Sequence, residues 1–277
     1  MNDPLTSKRM VVVIGAQKAG TSWLYDQLKR SDEAFFSPLK ELHYFDAFHG
    51  AGMFTKFSRE MEKRLQRLVE SGGGADPELV ACLKDRVRMT ADMDSYLDFF
   101  RTRVSEMHSV FGEVTPSYAA LGPDGFAALR RCHSDVRIIF VMREPVDRLM
   151  SAMNHYARRH GRAATSDEVI GALTSPGVLA RCRYDTTLRN LDDHFCRPDV
   201  LTVFYEDMFR PEFSRTLSEF IGIEVGRLDV MNRVNAASNS QVPNDALVTQ
   251  LRAHLVDVYD YCHLRFGSSL PASWGRQ

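Results

Sequence analysis

The sequence predicts an α/β fold, three layers around a mainly parallel central sheet, with a P-loop-like strand-loop-helix near its start and a helical insertion. Three observations carry this. Apolar, largely β-branched runs recur at Val11–Ile14, Val136–Met142 and Val200–Phe204, too continuous for half-exposed strands and suited to a sheet covered on both faces. Helical patterns separate these runs, the alternation that builds parallel sheets. The first run passes directly into Gly15-Ala16-Gln17-Lys18-Ala19-Gly20-Thr21-Ser22. There two glycines bracket a turn that carries a lysine, and a Thr-Ser pair opens a helix whose free N–H groups suit an anion.

Taken in order, Trp23 to Arg30 continues that helix, with Leu24 and Leu28 on one face. Ala34-Phe35-Phe36 reads as a short second strand ended by Ser37-Pro38. In Lys40-Glu41-Leu42-His43-Tyr44-Phe45-Asp46 ionisable and aromatic residues alternate densely, in a loop. Phe54 to Val69, Glu78 to Arg88 and Met93 to Arg103 read as helices, broken at Ser71-Gly72-Gly73-Gly74-Ala75-Asp76-Pro77. Val110 to Tyr118 is a short strand ending in a turn, and residues 122 to 132 form a helix opened by Gly-Pro-Asp. After the strand at 136 to 142, Pro145 opens a helix that runs to about Arg159. Ser166 to Leu173, Gly177 to Phe195, Pro211 to Phe220 and Asn244 to Phe266 complete the helices, with a polar loop at Asn232 to Pro243.

At 277 residues the chain can bury a full core, read here as one domain over 1–277 with a helical insertion at about 54–108. Its 35 Lys and Arg nearly cancel its 36 Asp and Glu, which leaves no basic field for a nucleic acid or an anionic membrane. An anion site must therefore be local. The five cysteines lack Cys-x-x-Cys spacing, so neither a zinc site nor a disulfide framework is indicated, and a reducing compartment is the simpler expectation. Met1 to Arg9 is short and polar, and the apolar run behind it ends at Gly15, short of a signal peptide or a membrane span. A cytoplasmic protein without stable membrane insertion is expected.

The glycine-bracketed loop is not that of nucleoside triphosphatases, which requires Gly-x-x-x-x-Gly-Lys-Ser/Thr, because here Gly20 is followed directly by Thr21. Gln17-Lys18-Ala19-Gly20-Thr21-Ser22-Trp23 resembles instead the 5′-phosphosulfate loop of sulfotransferases that use 3′-phosphoadenosine-5′-phosphosulfate (PAPS). Arg143, Arg148 and Ser151 fall on the Arg-x-Pro-x-x-Arg-x-x-Ser pattern of that family's 3′-phosphate segment, and Tyr205-Glu206-Asp207 resembles the segment that sets a tyrosine against adenine. Two further stretches, Lys40 to Asp46 and Gly112 to Tyr118, resemble segments of the heparan-sulfate-type branch.

The resemblance implies transfer of a sulfuryl group from PAPS, leaving adenosine-3′,5′-bisphosphate (PAP), to a hydroxyl or amine of a small-molecule, lipid or carbohydrate acceptor. Lys18 would meet the oxygen bridging sulfur and phosphorus, while Gly20, Thr21 and Ser22, within the loop from Gln17 through Ala19, would hold the 5′-phosphate. Trp23 and Tyr205 would flank adenine. Arg143 and Ser151 would bind the 3′-phosphate, a charge-assisted contact worth about 1.5–3 kcal/mol. Glu41 is the expected general base, His43 the runner-up or its orienting partner, and Glu113 a third candidate whose carboxylate serves equally well as a structural acceptor. The transferred group carries a single negative charge, so no metal is expected.

The chain departs from the pattern in two places. Val114 stands where the heparan-sulfate-type segment has a lysine, which argues against a sulfated polysaccharide. The Arg-Lys-Gly segment of cytosolic steroid and phenol sulfotransferases is missing, and Asn235, Ser238, Ser240 and Gln241 occupy the corresponding loop. Arg158, Arg159, His160 and Arg162 form a basic run that reads as a solvated helix terminus or as a contact for an anionic acceptor. Two alternatives stay open: a small-molecule kinase using ATP, and a nucleotide-binding interaction module without catalysis.

Overall fold

In a computed structural model, which describes residues 3–50, 54–70, 76–159, 161, 165–173, 175–229 and 245–275, the apolar runs pair as one sheet. β1 (Arg9–Gly15), β2 (Ala34–Phe36), β3 (Val110–Val114), β4 (Val136–Met142) and β5 (Val200–Phe204) lie in the order β2-β3-β1-β4-β5, every neighbouring pair parallel. Val12 stands beside Glu113 on one side and Ile138 on the other. Met10 through Ile14 and Ile138 through Met142 are 0% exposed, the double coverage that their unbroken apolar sequence demands.

α1 (Thr21–Leu28) follows β1. α2 (Tyr44–Phe48), α3 (Phe54–Glu70), α4 (Pro77–Arg88) and α5 (Met93–Arg101) lie between β2 and β3, and α6 (Pro123–Arg131) lies between β3 and β4. α7 (Pro145–Arg159), α8 (Ser166–Leu173), α9 (Pro176–Ala180) and α10 (Tyr184–His194) separate β4 from β5. α11 (Glu212–Ile221), α12 (Asp245–His254) and α13 (Val256–Phe266) follow β5.

Three elements differ from the sequence reading. The stretch read as a loop at 40–46 contains the start of α2, a five-residue helix too short to show periodicity. Its first turn is tied from far along the chain, because the Tyr118 hydroxyl accepts from the backbone N–H groups of Tyr44 at 2.8 Å and Phe45 at 3.3 Å. The helix expected over 177–195 breaks at Arg181–Arg183 into α9 and α10, where the Arg183 guanidinium takes both carboxylate oxygens of Asp185. The long C-terminal helix breaks at Leu255, which is 1% exposed; tertiary packing of that side chain overrides the helical composition around it. The Gly-rich break at 71–75 and the loop at 232–243 lie outside the described residues.

The strand order decides where a ligand can sit. From β1 the chain goes to one edge, returns to β3 beside β1, then crosses to β4 on β1's other flank. Connections diverge at the carboxyl end of β1, where a crevice opens in sheets of this kind.

Candidate active site

A cavity of about 420 Å³ occupies that crevice. Segments following all five strands line it: Gln17, Lys18, Gly20, Thr21 and Ser22 after β1, Lys40 and Glu41 after β2, Pro116 after β3, Arg143 after β4, and Tyr205 with Phe209 after β5. Ser151 and His155, one turn apart on α7, and Trp23 complete the lining.

The loop after β1 is shaped for an anion. Gly20 caps α1 with φ +81°, and among the described residues no side chain caps that helix, so its first N–H groups are left to a ligand or solvent. A Cβ on Gly20 would lie 2.9 Å from Cδ2 of Tyr205; only glycine lets the aromatic ring close over the turn. Arg143 joins this loop directly: its Nη1 donates to the Lys18 carbonyl at 3.2 Å, its guanidinium lies 4.8 Å from the centre of the Tyr205 ring, and its buried Nε has no partner among the described residues. Lys40 donates to the Ser22 hydroxyl at 2.7 Å.

Lys18, Lys40 and Arg143 thus face one cavity, with Glu41 as the single lining carboxylate. Burial lowers the Lys18 pKa, and the charges of Arg158, Arg143 and Lys40 lower it further, against Glu41. Burial likewise lowers that of Lys40. A half-buried lysine whose charge is disfavoured by neighbouring cations marks a place where a bound anion is favoured.

Glu41 is set by the residues behind it. His43 is 12% exposed at its side chain and lies outside the cavity lining, its Nε2 3.1 Å from Glu41 Oε2 and its Nδ1 2.7 Å from Asp46 Oδ2. Burial works against charging this imidazole, but the hydrogen bonds and charges of Asp46 and Glu41 outweigh it and push its pKa up to about 9. Phe57 of α3 stacks on the ring at 4.1 Å, Arg86 of α4 donates to the carbonyls of Leu42 and His43, and Ser117 donates to Asp46 at 2.5 Å. The helices between β2 and β3 therefore brace the segment carrying Glu41 from behind.

Glu113 lies outside the cavity and is 0% exposed. Its oxygens accept from Tyr96 at 2.7 Å, Tyr118 at 3.0 Å and Thr115 at 2.6 Å, while burial raises its pKa. Thr115 in turn accepts from the Leu42 N–H at 3.0 Å. This carboxylate holds together the segments around 42–45 and 113–118, which leaves it a structural acceptor and not a group facing the cavity.

Among the described residues with positive φ, the only three that are not glycine are Lys18 (+68°), Glu41 (+21°) and His43 (+53°). Such backbone is uncommon for side-chain-bearing residues and collects at functional sites.

The remaining expected residues fall as follows. Gln17, Thr21, Ser22, Ser151 and Tyr205 line the cavity. Ala19 is 0% exposed and lies behind it, its N–H closing the turn on the Ala16 carbonyl at 3.1 Å. Trp23 lines the cavity but is 2% exposed, packed on Phe209 and Phe213 with Nε1 donating to the Asp229 carbonyl, so it forms part of the cavity's buried wall. Arg148 is buried and donates to Cys182 Sγ at 2.9 Å. Val114 is 1% exposed, within the core. Arg158 is exposed, and His160 and Arg162 lie outside the described residues. Lys40, Pro116, His155 and Phe209 were missed as lining residues; for His155 the available signal was its spacing of four from Ser151 on one helix. Among the described residues no group of His, Cys, Asp and Glu is arranged to hold a metal, and no helix is long and apolar enough to cross a membrane.

Fold and cavity define a parallel α/β protein whose lysine- and arginine-bearing loops converge on one crevice. A family model described as "Sulfotransferase family" matches residues 10–226, and the chain belongs to that family. Solved structures agree on the fold. A sulfotransferase from Alicyclobacillus acidocaldarius superposes with a TM-score of 0.68 at 20% identity, covering 97% of this chain and 99% of that one. The sulfotransferase domain of an olefin synthase from Synechococcus does so at 0.52 and 16% identity, covering 95% of each. No curated protein sequence matches the chain. Membership identifies a transferase of sulfuryl groups and disfavours the ATP-dependent kinase.

Proposed function

We propose that this sulfotransferase takes its sulfuryl group from PAPS, releases PAP, and delivers the group to a hydroxyl or amine of a small-molecule, lipid or carbohydrate acceptor. One observation carries the reading: two cradles of opposite origin, Lys18 with the start of α1 and Arg143 with Ser151, line a single cavity that also holds Glu41.

The donor supplies an electrophilic sulfur bonded to a phosphate oxygen; the protein supplies the rest. Lys18 and the N–H groups at Gly20, Thr21 and Ser22 stabilise negative charge on the departing 5′-phosphate. Lys40, seated on Ser22, adds a second positive charge there. Arg143 and Ser151 take the 3′-phosphate, and the unpartnered Arg143 Nε has a donor to spare for it. Tyr205 covers adenine, with Trp23 in the buried wall. Glu41 accepts the acceptor's proton as the new S–O or S–N bond forms and the S–O bond to phosphate breaks, and the His43 imidazolium orients it. No step calls for a metal.

Calorimetric titration of the protein with PAP and with ADP tests the donor. The 3′-phosphate contacts predict tighter binding of PAP by tenfold or more; equal or weaker binding than ADP overturns the proposal. Transfer of labelled sulfate from PAPS to an acceptor panel then identifies the acceptor class.

A further inference from the structure

The C-terminal segment lies beyond the span matched by the family model, which ends at residue 226, yet it grips both nucleotide-facing arms. Arg143 and Tyr205 are each followed by a glutamate, Glu144 and Glu206. The Glu144 side chain is 4% exposed. Its Oε2 accepts from the Asp147 N–H at 2.6 Å, and its Oε1 accepts from Arg252 at 3.1 Å and from the Tyr259 hydroxyl. The same Arg252 guanidinium donates to the carbonyls of Gly275 at 2.6 Å and Ser273 at 3.2 Å, and Ser273 donates to Glu206 Oε1 at 3.1 Å.

Aromatic packing follows the same path. Trp274 is 0% exposed and its ring centre lies 5.7 Å from that of Phe204, the residue before Tyr205, and 6.0 Å from that of Tyr184. The Tyr184 hydroxyl donates to the Arg143 carbonyl at 3.0 Å.

We propose that residues 252–275 form a brace in which Arg252 is a positioning residue: through Glu144 it fixes the backbone that aims Arg143 at the 3′-phosphate, while the Ser273 contact with Glu206 anchors the far end of the brace. This rests on the reading of Arg143 as the 3′-phosphate ligand. A carboxylate this buried requires its cation. Without Arg252 the Glu144 side chain and the start of α7 must rearrange, and Arg143 is attached to both.

The test is the ratio of affinities of the full chain for PAP and for 5′-AMP, which differ by the 3′-phosphate. Wild-type protein is expected to prefer PAP by tenfold or more, and Arg143→Ala to abolish that preference. Arg252→Gln is expected to remove most of it while leaving 5′-AMP binding within about threefold, with Arg252→Lys restoring part of it. Arg215→Gln, which breaks an exposed pair with Glu219 on α11, serves as the control and is expected to keep it. Should Arg252→Gln fail to fold, Tyr259→Phe removes one hydroxyl from the same carboxylate and is expected to lower the ratio several-fold. Full preference in Arg252→Gln, or equal loss for both nucleotides, overturns the brace. Absence of any preference in wild type, or its survival in Arg143→Ala, overturns the underlying reading of Arg143 instead.

Discussion

The guanidinium of Arg143 donates to the backbone carbonyl of Lys18 at 3.2 Å, although 125 residues separate them. Arg143 is thereby tied to the loop that carries Lys18, and both side chains line one cavity. Their roles separate kinetically. Arg143→Ala is expected to weaken PAP binding by about tenfold to 150-fold, the equivalent of 1.5–3 kcal/mol. Lys18→Met is expected to lower kcat by about 10²–10³ with a smaller change in PAP affinity, because charge on the leaving phosphate grows only in the transition state. Titration calorimetry and steady-state kinetics measure the two effects.

Glu41→Gln is expected to reduce kcat by about 10²–10⁴ with the fold intact, since it removes the group that takes the acceptor's proton. His43→Gln is expected to act more mildly, because this ring stands behind Glu41 and contacts the cavity through it. If Glu41→Gln left turnover within a few-fold of wild type while His43→Gln abolished it, the two roles would be reversed.

His43 also gives stability a pH dependence. Its pKa in the folded chain is about 9, against an ordinary 6.5, so the folded state holds this proton more tightly than the unfolded state. The resulting stabilisation is complete below about pH 6.5 and is lost as pH rises through 9. Its size is about 3 kcal/mol. Urea unfolding of wild type and His43→Gln between pH 6 and 10 is expected to show the difference between them shrinking over that window; a difference that does not change with pH excludes a protonated His43.

Gly20→Ala is expected to cost about 1–2 kcal/mol from left-handed backbone alone. The added methyl also meets the Tyr205 ring at 2.9 Å, so nucleotide affinity is expected to fall along with stability. Thermal unfolding and PAP titration report the two losses.

Glu113→Gln is expected to lower the melting temperature while keeping turnover of the folded protein within a few-fold, because its three hydroxyl partners are structural. A loss comparable to that of Glu41→Gln would return Glu113 to the chemistry.

The middle of the sheet was legible because β1 and β4 are buried on both faces over Met10–Ile14 and Ile138–Met142 and read there as unbroken apolar runs. Much of the cavity was legible for a related reason: in a parallel sheet, residues just past the strand ends meet at one edge, so Lys18, Arg143 and Tyr205 could be brought together without knowing any helix. The supports were not. Arg86 reaches back 43 and 44 positions to the carbonyls of His43 and Leu42, and neither its sequence neighbours nor its period distinguishes it from a surface arginine. The two stretches at 40–46 and 112–118 looked like independent motifs, yet Glu113 and its hydroxyl partners make them one unit. Nothing local announced that the C-terminal helices reach the strand ends.

The left-handed backbone at Lys18, Glu41 and His43 sets the molecule's tolerance of heat against its turnover. Glycine at Lys18 or Glu41 relieves torsional discomfort while deleting a side chain that lines the cavity, whereas at His43 it also forfeits the contacts with Glu41 and Asp46. Selection for thermal endurance alone would drift toward glycine at the first two positions, and on the roles proposed above the hardier descendants would be poorer catalysts.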